Sequence, residues 1–365
     1  TASPPRPPLP PPARPRASLC PSTLPGPRLD WSARAARDLP WRGTDDPYAV
    51  WVSEIMLQQT RVDTVIPYYR RFLERFPTAR ALAQADEDTV LAHWSGLGYY
   101  RRARMLHAGA REVVARYGGR VPEDAGARRA LPGVGRYTAG AIGSIAFGKR
   151  EAVVDGNVAR VLARLRYIDA PLGTSAMERR LWEEAERLVP SHRPGDFNQA
   201  LMELGATVCT PRQPSCELCP LADECIARAR GAREQLPIPK ARKPPKQISL
   251  AAVMATSGRG AARQLWLVKG EAALFGGLWS LPMAEAGPRE ALREIGLRAR
   301  VRARPEAEVE HVLSHRRMRI TLYRATAAAA EPSPTLRPFT ASELPQVGTS
   351  ALTKKLLGHA APSKP

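Results

Sequence analysis

Four of the five cysteines lie between residues 209 and 225, and their spacing is the strongest constraint that this chain places on its own fold. Thiols so close in sequence converge on a metal centre more readily than they pair into a disulfide framework. The spacing is C-x6-C-x2-C-x5-C. Zinc ribbons combine two C-x2-C pairs and this stretch has one, so coordination chemistry leaves zinc and an iron–sulfur cluster both open. The ligands in either case are Cys209, Cys216, Cys219 and Cys225.

The charge balance favours a polyanionic partner. Lysine and arginine total 55 against 35 aspartates and glutamates, which gives a formal net charge of +20. Surface cations steer phosphate-bearing ligands, although a GC-rich genome that enriches arginine, alanine and proline accounts for part of the excess. The sequence has neither an apolar run near the roughly 20 residues of a membrane span nor the apolar core of a signal peptide. We therefore expect a cytoplasmic protein without a membrane partner.

Composition and periodicity divide the chain into four parts. Residues 1–28 contain eleven prolines and no acidic residue, which is typical of a disordered tail, and Cys20 lies there. Residues 29–232 have helical periodicity, residues 233–247 form a basic, proline-broken linker, and residues 248–365 contain strand patterns. The predicted fold is a mainly α domain followed by a smaller α+β domain. The helices are predicted at residues 47–59, 61–75, 86–94, 99–117, 136–147, 157–167, 175–189 and 196–208.

The stretch LPGVGRYTAGAI, residues 131–142, places two glycines around one valine between apolar segments. A helix is predicted to begin near Arg136, so Gly133 and Gly135 come immediately before its N-terminus. Glycine permits close backbone approach and positive φ, and the free amides of a helix N-terminus attract anions. An ordinary turn explains a bare GVG, but with these neighbours the stretch resembles a helix–hairpin–helix, which binds a DNA phosphate.

Two carboxylates are candidates for catalysis. Asp155, in VVDGNVARVLAR, precedes a helix start and fits either a helix N-cap or a group that stabilises positive charge on a sugar. Glu54, in WVSEIMLQQTRV, lies among apolar residues on the helix that opens at Pro47. A solvent-facing helical glutamate is the ordinary interpretation of such a residue. Desolvation would instead favour its neutral form and allow it to donate a proton near neutral pH.

The motifs in combination resemble one family. The segments LPWR, WVSEIMLQQT, GLGYYRRAR, LPGVGRYTAG and VDGNVARV and the cysteine loop are similar to the MutY family of adenine DNA glycosylases. That family belongs to the helix–hairpin–helix glycosylases of the endonuclease III class. The resemblance covers residues 31–232 and implies a two-lobed helical domain with a 4Fe–4S cluster on the four cysteines. It also implies a monomeric, nucleoid-associated bacterial enzyme that removes adenine mispaired with 8-oxoguanine or guanine in duplex DNA.

Individual roles follow from this resemblance, position by position. Glu54 would protonate an adenine ring nitrogen, and Asp155 would stabilise or trap the cation at C1′, with Tyr137 and Asn157 as neighbours of the two carboxylates. The residues that match the pocket for the flipped adenine are Leu39, Trp41, Arg42 and Gln199. The residues that match DNA contacts, including those that fill the gap left by the extruded base, are Gln59, Thr60, Tyr99, Gly133 and Gly135. A plain core role also fits Leu39, Trp41 and Tyr99.

The residue at position 137 separates two reaction types. Relatives that also nick the strand carry a lysine there, which forms a Schiff base. Tyr137 has no amine, so the resemblance implies a monofunctional enzyme that uses water. Two rival predictions remain. Tyr137 and the C-terminal domain argue against a bifunctional pyrimidine-lesion glycosylase–lyase. The pair Glu54 and Asp155 argues against a catalytically silent DNA-binding protein with a structural metal.

The C-terminal part resembles the Nudix-type module of this family. REALREIGL, residues 289–297, is similar to a Nudix helix, but Arg293 stands where a metal-binding glutamate is expected, which argues against hydrolase activity. The module would instead read the oxidised guanine through a loop at residues 311–315, where Ser314 and His315 would hydrogen-bond the lesion. Leu313 replaces the aromatic residue that relatives often have before this pair. His315 fits an ordinary strand histidine as well.

Overall fold

The computed structural model describes residue 31 and residues 36–240, 244–270, 275–313, 316–328, 330 and 332–359. The tail predicted for residues 1–28, with Cys20, lies outside the described residues, and so do Ser314 and His315. Within the described ranges, no helix combines the length and the apolar composition that crossing a membrane requires.

Helices form the larger, N-terminal part of the molecule. Asp46 caps the first helix by accepting a hydrogen bond from the Tyr48 amide at 3.0 Å, and Pro47 occupies its first turn, as the sequence predicts. Two six-residue helices, α3 (Ala79–Gln84) and α6 (Ala125–Ala130), were not predicted, because an apolar period cannot show in so few residues. The helices are α1 Pro47–Leu57, α2 Val62–Arg75, α3 Ala79–Gln84, α4 Glu87–Trp94, α5 Arg101–Tyr117, α6 Ala125–Ala130, α7 Arg136–Ile145, α8 Gly156–Leu165, α9 Ser175–Leu188, α10 Pro194–Thr207 and α11 Ile226–Ala229.

The helices form two lobes, each with its own apolar core. The first core contains side chains of α1 to α5, and the second contains side chains of α8 to α10. Helix α7 contributes to both, because Ala139 and Ile142 pack in the first core and Ala141 packs in the second. The predicted two-lobed helical domain is therefore confirmed, and α7 is an element that both lobes share.

Helices α6 and α7 form the predicted hairpin. Its turn has Gly133 at φ +76°, where a Cβ atom would lie 2.6 Å from the Cβ of Met105. Gly135 is the N-cap of α7 with an extended backbone, and a Cβ atom there would meet nothing within 4 Å. Behind the turn, the fully buried Arg128 of α6 donates a hydrogen bond to the Ala139 carbonyl at 3.2 Å. The turn is thus tightly packed underneath and open at the N-terminus of α7.

In the described residues, the C-terminal part is an eight-stranded mixed sheet with two short helices. Its longest strands, β1 (Lys246–Ser257) and β7 (Arg316–Ala327), pair in parallel, and the other strand pairs are antiparallel. Successive residues of β1 enter different cores, since Met254 packs in one and Val253 in the other, so both faces of the sheet are covered. This confirms the predicted α+β domain. Its elements are β1 Lys246–Ser257, β2 Gln264–Lys269, β3 Trp279–Ser280, β4 Met283–Ala284, α12 Pro288–Arg293, β5 Ala299–Val301, β6 Ala307–Leu313, β7 Arg316–Ala327, β8 Leu336–Phe339 and α13 Ala351–His359.

The two domains pack against each other through α4 and the residues beside it. Leu278 of the C-terminal domain is fully buried in the core of the first helical lobe. Lys269 forms an ion pair with Asp88 at 2.9 Å, and the Ser95 hydroxyl donates a hydrogen bond to the Thr349 carbonyl at 3.0 Å. The described part of the C-terminal domain therefore contacts the helical domain through apolar packing, an ion pair and a hydrogen bond.

Most of the predicted helices differ from the structure by one or two residues at an end, and two of these differences have a clear backbone cause. Helix α1 ends at Leu57 rather than at Gln59, and α5 begins at Arg101 rather than at Tyr99. Gln59 has φ 58° and Tyr99 has φ 48°, which are left-handed conformations that a right-handed helix does not contain. Both residues therefore lie in tight loops beside the helices to which the sequence pattern assigned them.

Two other segments are more ordered than the sequence indicates. The predicted linker is tied to the helical domain, because Leu172 donates its amide to the Ile238 carbonyl and Arg164 donates to the Leu236 carbonyl, both at 2.9 Å. Residues 311–313 belong to strand β6 and not to a loop, since they pair with β7. The domain limits at residues 232 and 248 stay a prediction.

The hairpin turn gives a first testable prediction. Gly133→Ala should destabilise the protein by about 2 kcal/mol or more, because the left-handed φ and the overlap with Met105 both penalise a Cβ atom. Gly135→Ala, which meets open space, should unfold at the wild-type temperature. Thermal unfolding followed by circular dichroism measures both. Equal midpoints for the two variants would contradict this account of the turn.

Candidate active site

A cavity of about 770 Å³ has walls from both helical lobes. Its lining comes from α1 and the loop after it, the hairpin, the N-terminus of α8, and α10. Tyr99 lines a second cavity of about 710 Å³ between the helical and C-terminal domains, and Gln59 and Gly133 line both. The predicted site residues that line the first cavity are Leu39, Trp41, Arg42, Glu54, Gln59, Thr60, Gly133, Gly135, Tyr137, Asp155, Asn157 and Gln199.

Glu54 is buried, although an isolated helical glutamate is ordinarily exposed. It is 5% exposed, and the Tyr137 hydroxyl donates a hydrogen bond to its Oε2 atom at 2.5 Å. Burial raises the pKa of Glu54 to about 7, while the hydrogen bond from Tyr137 acts in the opposite direction. A carboxyl group with this pKa is partly protonated at neutral pH and can act as a general acid.

Asp155 is a helix N-cap, which is one of the two interpretations that the sequence left open. It is the N-cap of α8, where one carboxylate oxygen accepts a hydrogen bond from the Val158 amide at 2.7 Å. The other oxygen accepts one from Asn157 Nδ2 at 3.2 Å, and the residue lines the cavity. Burial raises the pKa of Asp155, and the hydrogen bonds from Val158 and Asn157 oppose that shift. The cap therefore holds the carboxylate in one orientation at the cavity wall.

A side chain behind Asn157 links this carboxylate to the cysteine loop. Arg160 donates from Nη2 to Asn157 Oδ1 at 2.8 Å and to the Gly205 carbonyl at 2.7 Å. Its Nε atom donates to the carbonyl of Cys209 at 2.7 Å. The contacts therefore run without interruption from the first cysteine of the loop to Asp155.

The residues predicted for the adenine pocket lie beside a buried ion pair. Glu203 of α10, whose side chain is 1% exposed, accepts hydrogen bonds from Arg42 at 2.7 Å and from two nitrogen atoms of Arg37 at 2.8 Å. Leu39 and Trp41 are almost fully buried near Arg42. The ion pair fixes the Arg42 guanidinium at the cavity wall, where its remaining N–H groups can meet acceptor atoms of a planar base.

Sequence reasoning missed two of these contacts. Glu203 follows Gln199 by four residues on α10, so the i,i+4 spacing that places both on one helix face was the available signal. Arg160 gave no local signal, because its carbonyl partners at Gly205 and Cys209 are distant in sequence.

The four cysteines line a single small cavity together with Arg164, Arg228 and Arg233. Arg164 is 2% exposed, and its Nη1 atom lies 3.3 Å from the Sγ atom of Cys209. Burial raises the pKa of Cys219 to about 11, so four thiolates can persist here only with strong positive charge nearby. Irons would supply most of that charge, and the three guanidinium groups would balance the remainder. The donor set therefore fits an anionic, thiolate-bound iron–sulfur cluster.

The chain matches three known domain families. Residues 52–187 match the HhH-GPD superfamily of base excision DNA repair proteins. Residues 209–225 match the iron–sulfur binding domain of endonuclease III, and residues 258–359 match the NUDIX domain. The three matches follow the hairpin, the cysteine loop and the mixed sheet in chain order.

Individual proteins give a more specific likeness. The human adenine DNA glycosylase is 38% identical over 396 residues, which covers 91% of this chain and 72% of the human protein. The chain belongs to the adenine DNA glycosylase family. The adenine DNA glycosylase of Arabidopsis thaliana is 47% identical over 225 residues, covering 54% of this chain and 36% of that protein. Among solved structures, a thermostable thymine-DNA glycosylase is 35% identical with a TM-score of 0.50, covering 56% of this chain and 94% of that one.

Membership of the adenine DNA glycosylase family defines the general activity. The chain is an enzyme of base excision repair that hydrolyses N-glycosyl bonds and releases adenine from DNA. Its cofactor is a 4Fe–4S cluster, as the resemblance implied, and the cysteine loop is the segment that holds it. The choice between zinc and iron that coordination chemistry left open is thereby decided for iron.

The cysteine loop gives the second prediction. Protein purified without oxygen should be brown, with about four irons per chain and broad absorbance near 400 nm, as thiolate-bound clusters give. Cys216→Ser should lose most of this iron, because one of four ligands is removed. The matched control is Cys20→Ser, which should keep the wild-type iron content. Metal analysis that finds stoichiometric zinc without iron would contradict the assignment.

Proposed function

We propose that this glycosylase is monofunctional and excises adenine mispaired with 8-oxoguanine, or with guanine, in duplex DNA. The observation that carries the proposal is the pair of Glu54 and Tyr137, in which a buried acid and a hydroxyl occupy the hairpin side of the cavity. We further propose that the enzyme works as a monomer on nucleoid DNA in a bacterial cytoplasm. The net charge of +20 supports attraction to DNA phosphates.

Protonation of the base is the first chemical requirement. Adenine is a poor leaving group as an anion, so a general acid must donate a proton to one of its ring nitrogens as the bond breaks. Glu54 is suited to this step because its pKa of about 7 leaves it partly protonated at neutral pH. The hydrogen bond from Tyr137 also holds the carboxyl group in one position. The flipped adenine would lie against Leu39, Trp41, Arg42 and Gln199.

Stabilisation of the sugar cation is the second requirement. Cleavage of an N-glycosidic bond develops positive charge at C1′, which a fixed anion stabilises. Asp155 supplies that anion, since its two oxygens are held by Val158 and Asn157 on the same cavity wall. A water molecule then adds to C1′, its proton leaves to solvent or a carboxylate, and the product is an abasic site with both strands intact.

The absence of an amine at position 137 supports water as the nucleophile. A lyase step needs a primary amine that attacks C1′, and the described cavity lining contains arginine but no lysine. Arginine remains protonated and does not form a Schiff base. The observation therefore favours the monofunctional reaction over the bifunctional glycosylase–lyase.

The C-terminal domain is the candidate reader of the opposite base. Its strand β6 brings His311, Val312 and Leu313 to the cavity between the domains, where Tyr99 and Gln59 also lie. A base opposite the extruded adenine would face this cavity, and Ser314 and His315 follow directly in the chain. Hydrolase activity is not part of the proposal, because Arg293 forms an exposed ion pair with Glu290 on α12 where a metal-binding carboxylate would be needed.

The third prediction tests the reaction type and the substrate. Duplexes with one A·8-oxoguanine or one A·G pair should show strand breaks only after alkali or heat, with faster release of adenine opposite 8-oxoguanine. Borohydride should trap little covalent adduct, because residue 137 has no amine. Prompt nicking, or efficient trapping, would refute the monofunctional proposal. Equal rates on the two duplexes would refute the preference for 8-oxoguanine.

The fourth prediction concerns the two carboxylates. Glu54→Gln and Asp155→Asn should lower single-turnover excision by roughly 10²- to 10⁴-fold while DNA affinity, which rests on phosphate contacts, is kept. The wild-type rate should fall as pH rises through about 7, since Glu54 then loses the proton that it donates. It should fall again in acid as Asp155 becomes protonated. Rates that rise across neutral pH, or affinity lost in parallel with rate, would contradict these roles.

A further inference from the structure

The guanidinium group of Arg102 lies at the junction of α1 with the loops that carry Gln59 and Tyr99. From the first turn of α5, its Nη1 atom donates to the carbonyls of Ile55 at 2.9 Å, Met56 at 2.8 Å and Gln58 at 2.5 Å. The last carbonyls of a helix have no intrahelical partner, and α1 has no basic residue in its own last turn. Arg102 therefore caps the C-terminus of α1, the helix that carries Glu54.

The same guanidinium also holds the loop before α5. Its Nη2 atom donates to the Gly98 carbonyl at 3.0 Å and lies 3.4 Å from that of Leu97, while Nε lies 3.4 Å from that of Tyr99. Nη2 further donates to the hydroxyl of Thr60 at 3.0 Å. One planar group thus binds residues on both sides of the gap between the two loops.

The two loops contain backbone conformations that need outside support. Gln59 and Tyr99 both have left-handed φ angles, which cost free energy in residues other than glycine and persist only where surrounding contacts fix them. Tyr99 is nonetheless 49% exposed, and its ring lies over the Arg102 guanidinium at 5.5 Å. The fixed part is therefore the backbone beneath, while the side chain above is free to meet a ligand.

We propose that Arg102 is a positioning residue that sets the spacing of Gln59 and Tyr99, so that both side chains enter the DNA stack from preset positions when adenine is extruded. The proposal rests on the proposed function, because it assigns these two residues to the gap that the flipped base leaves. Burial lowers the pKa of Arg102 to about 10, so the group stays charged at neutral pH. Lysine cannot replace it, since one ammonium nitrogen cannot span acceptors on both loops.

The test compares two substrates in single-turnover assays. One is adenine paired with 8-oxoguanine in a duplex, and the other is adenine opposite an abasic site, where extrusion breaks no base pair. Arg102→Lys should lower the excision rate roughly 10²-fold on the paired substrate, because a small misplacement of a positioned group can cost that much. On the unpaired substrate the rate should fall only roughly 10-fold. Arg116→Lys, an exposed change on the same helix, should match wild type on both. An equal loss on both substrates would overturn the proposal.

A second variant guards against misfolding of the first. Thr60→Val keeps the side-chain shape and removes one acceptor of Arg102, so it should show the same substrate-selective loss at smaller size. In the double variant with Arg102→Lys, Thr60→Val should lower the excision rate by less than it does alone, because both changes remove the Arg102–Thr60 hydrogen bond. If Arg102→Lys does not fold, Thr60→Val alone decides by the same comparison. If the wild-type protein releases no adenine from either substrate, the proposed function is refuted. This outcome differs from an equal loss on both substrates, which refutes only the positioning role of Arg102.

Discussion

Glu54 carries its carboxyl group into a cavity where it is 5% exposed, and the surrounding architecture is arranged to keep it there. The glutamate lies on α1 in the first lobe, and its hydrogen-bond partner Tyr137 lies on α7, which packs in both cores. The packing of the two lobes around Glu54 therefore removes its carboxyl group from water, and this desolvation raises its pKa. Opening the lobes by even one water layer would return Glu54 towards an ordinary ionised carboxylate. The packing that defines the fold therefore also sets the pKa of Glu54.

Asp155 depends on a different kind of support. Its orientation comes from the α8 cap and from Asn157, which Arg160 holds against the backbone of the cysteine loop. The loop has only short helical turns of its own, so its backbone needs a bound cluster to keep a definite shape. The contacts from Cys209 to Asp155 offer a physical route by which cluster loss would disturb the Asp155 carboxylate without any direct contact between them.

The sequence predicted the regular elements and the residue types of the site, and it failed where the backbone is strained. Capping at Asp46, the glycines of the hairpin and the cysteine spacing are local signals, and the structure agrees with each. Gln59 and Tyr99 continue apolar helical patterns in the sequence, yet both have left-handed backbones. Such conformations depend on distant contacts, and they concentrate at functional positions, which is where local rules are expected to fail. The position of Glu203 against Arg42 is tertiary information of the same kind.

Several of the arginines that make the composition basic are buried. Arg128, Arg160 and Arg164 are each at most 9% exposed, and Arg102 is buried deeply enough to lower its pKa, so these charges are largely withdrawn from the surface. Each also donates to backbone carbonyls of an irregular segment. These acceptors are Pro122 and Glu123 for Arg128, Cys209 for Arg160, Thr210 and Pro211 for Arg164, and Leu97 and Gly98 for Arg102. Irregular backbone has no hydrogen-bond ladder of its own, and a guanidinium with five N–H groups can satisfy several carbonyls at once. Part of the excess of arginine therefore serves to hold functional loops in place, and only the remainder is available to attract phosphate.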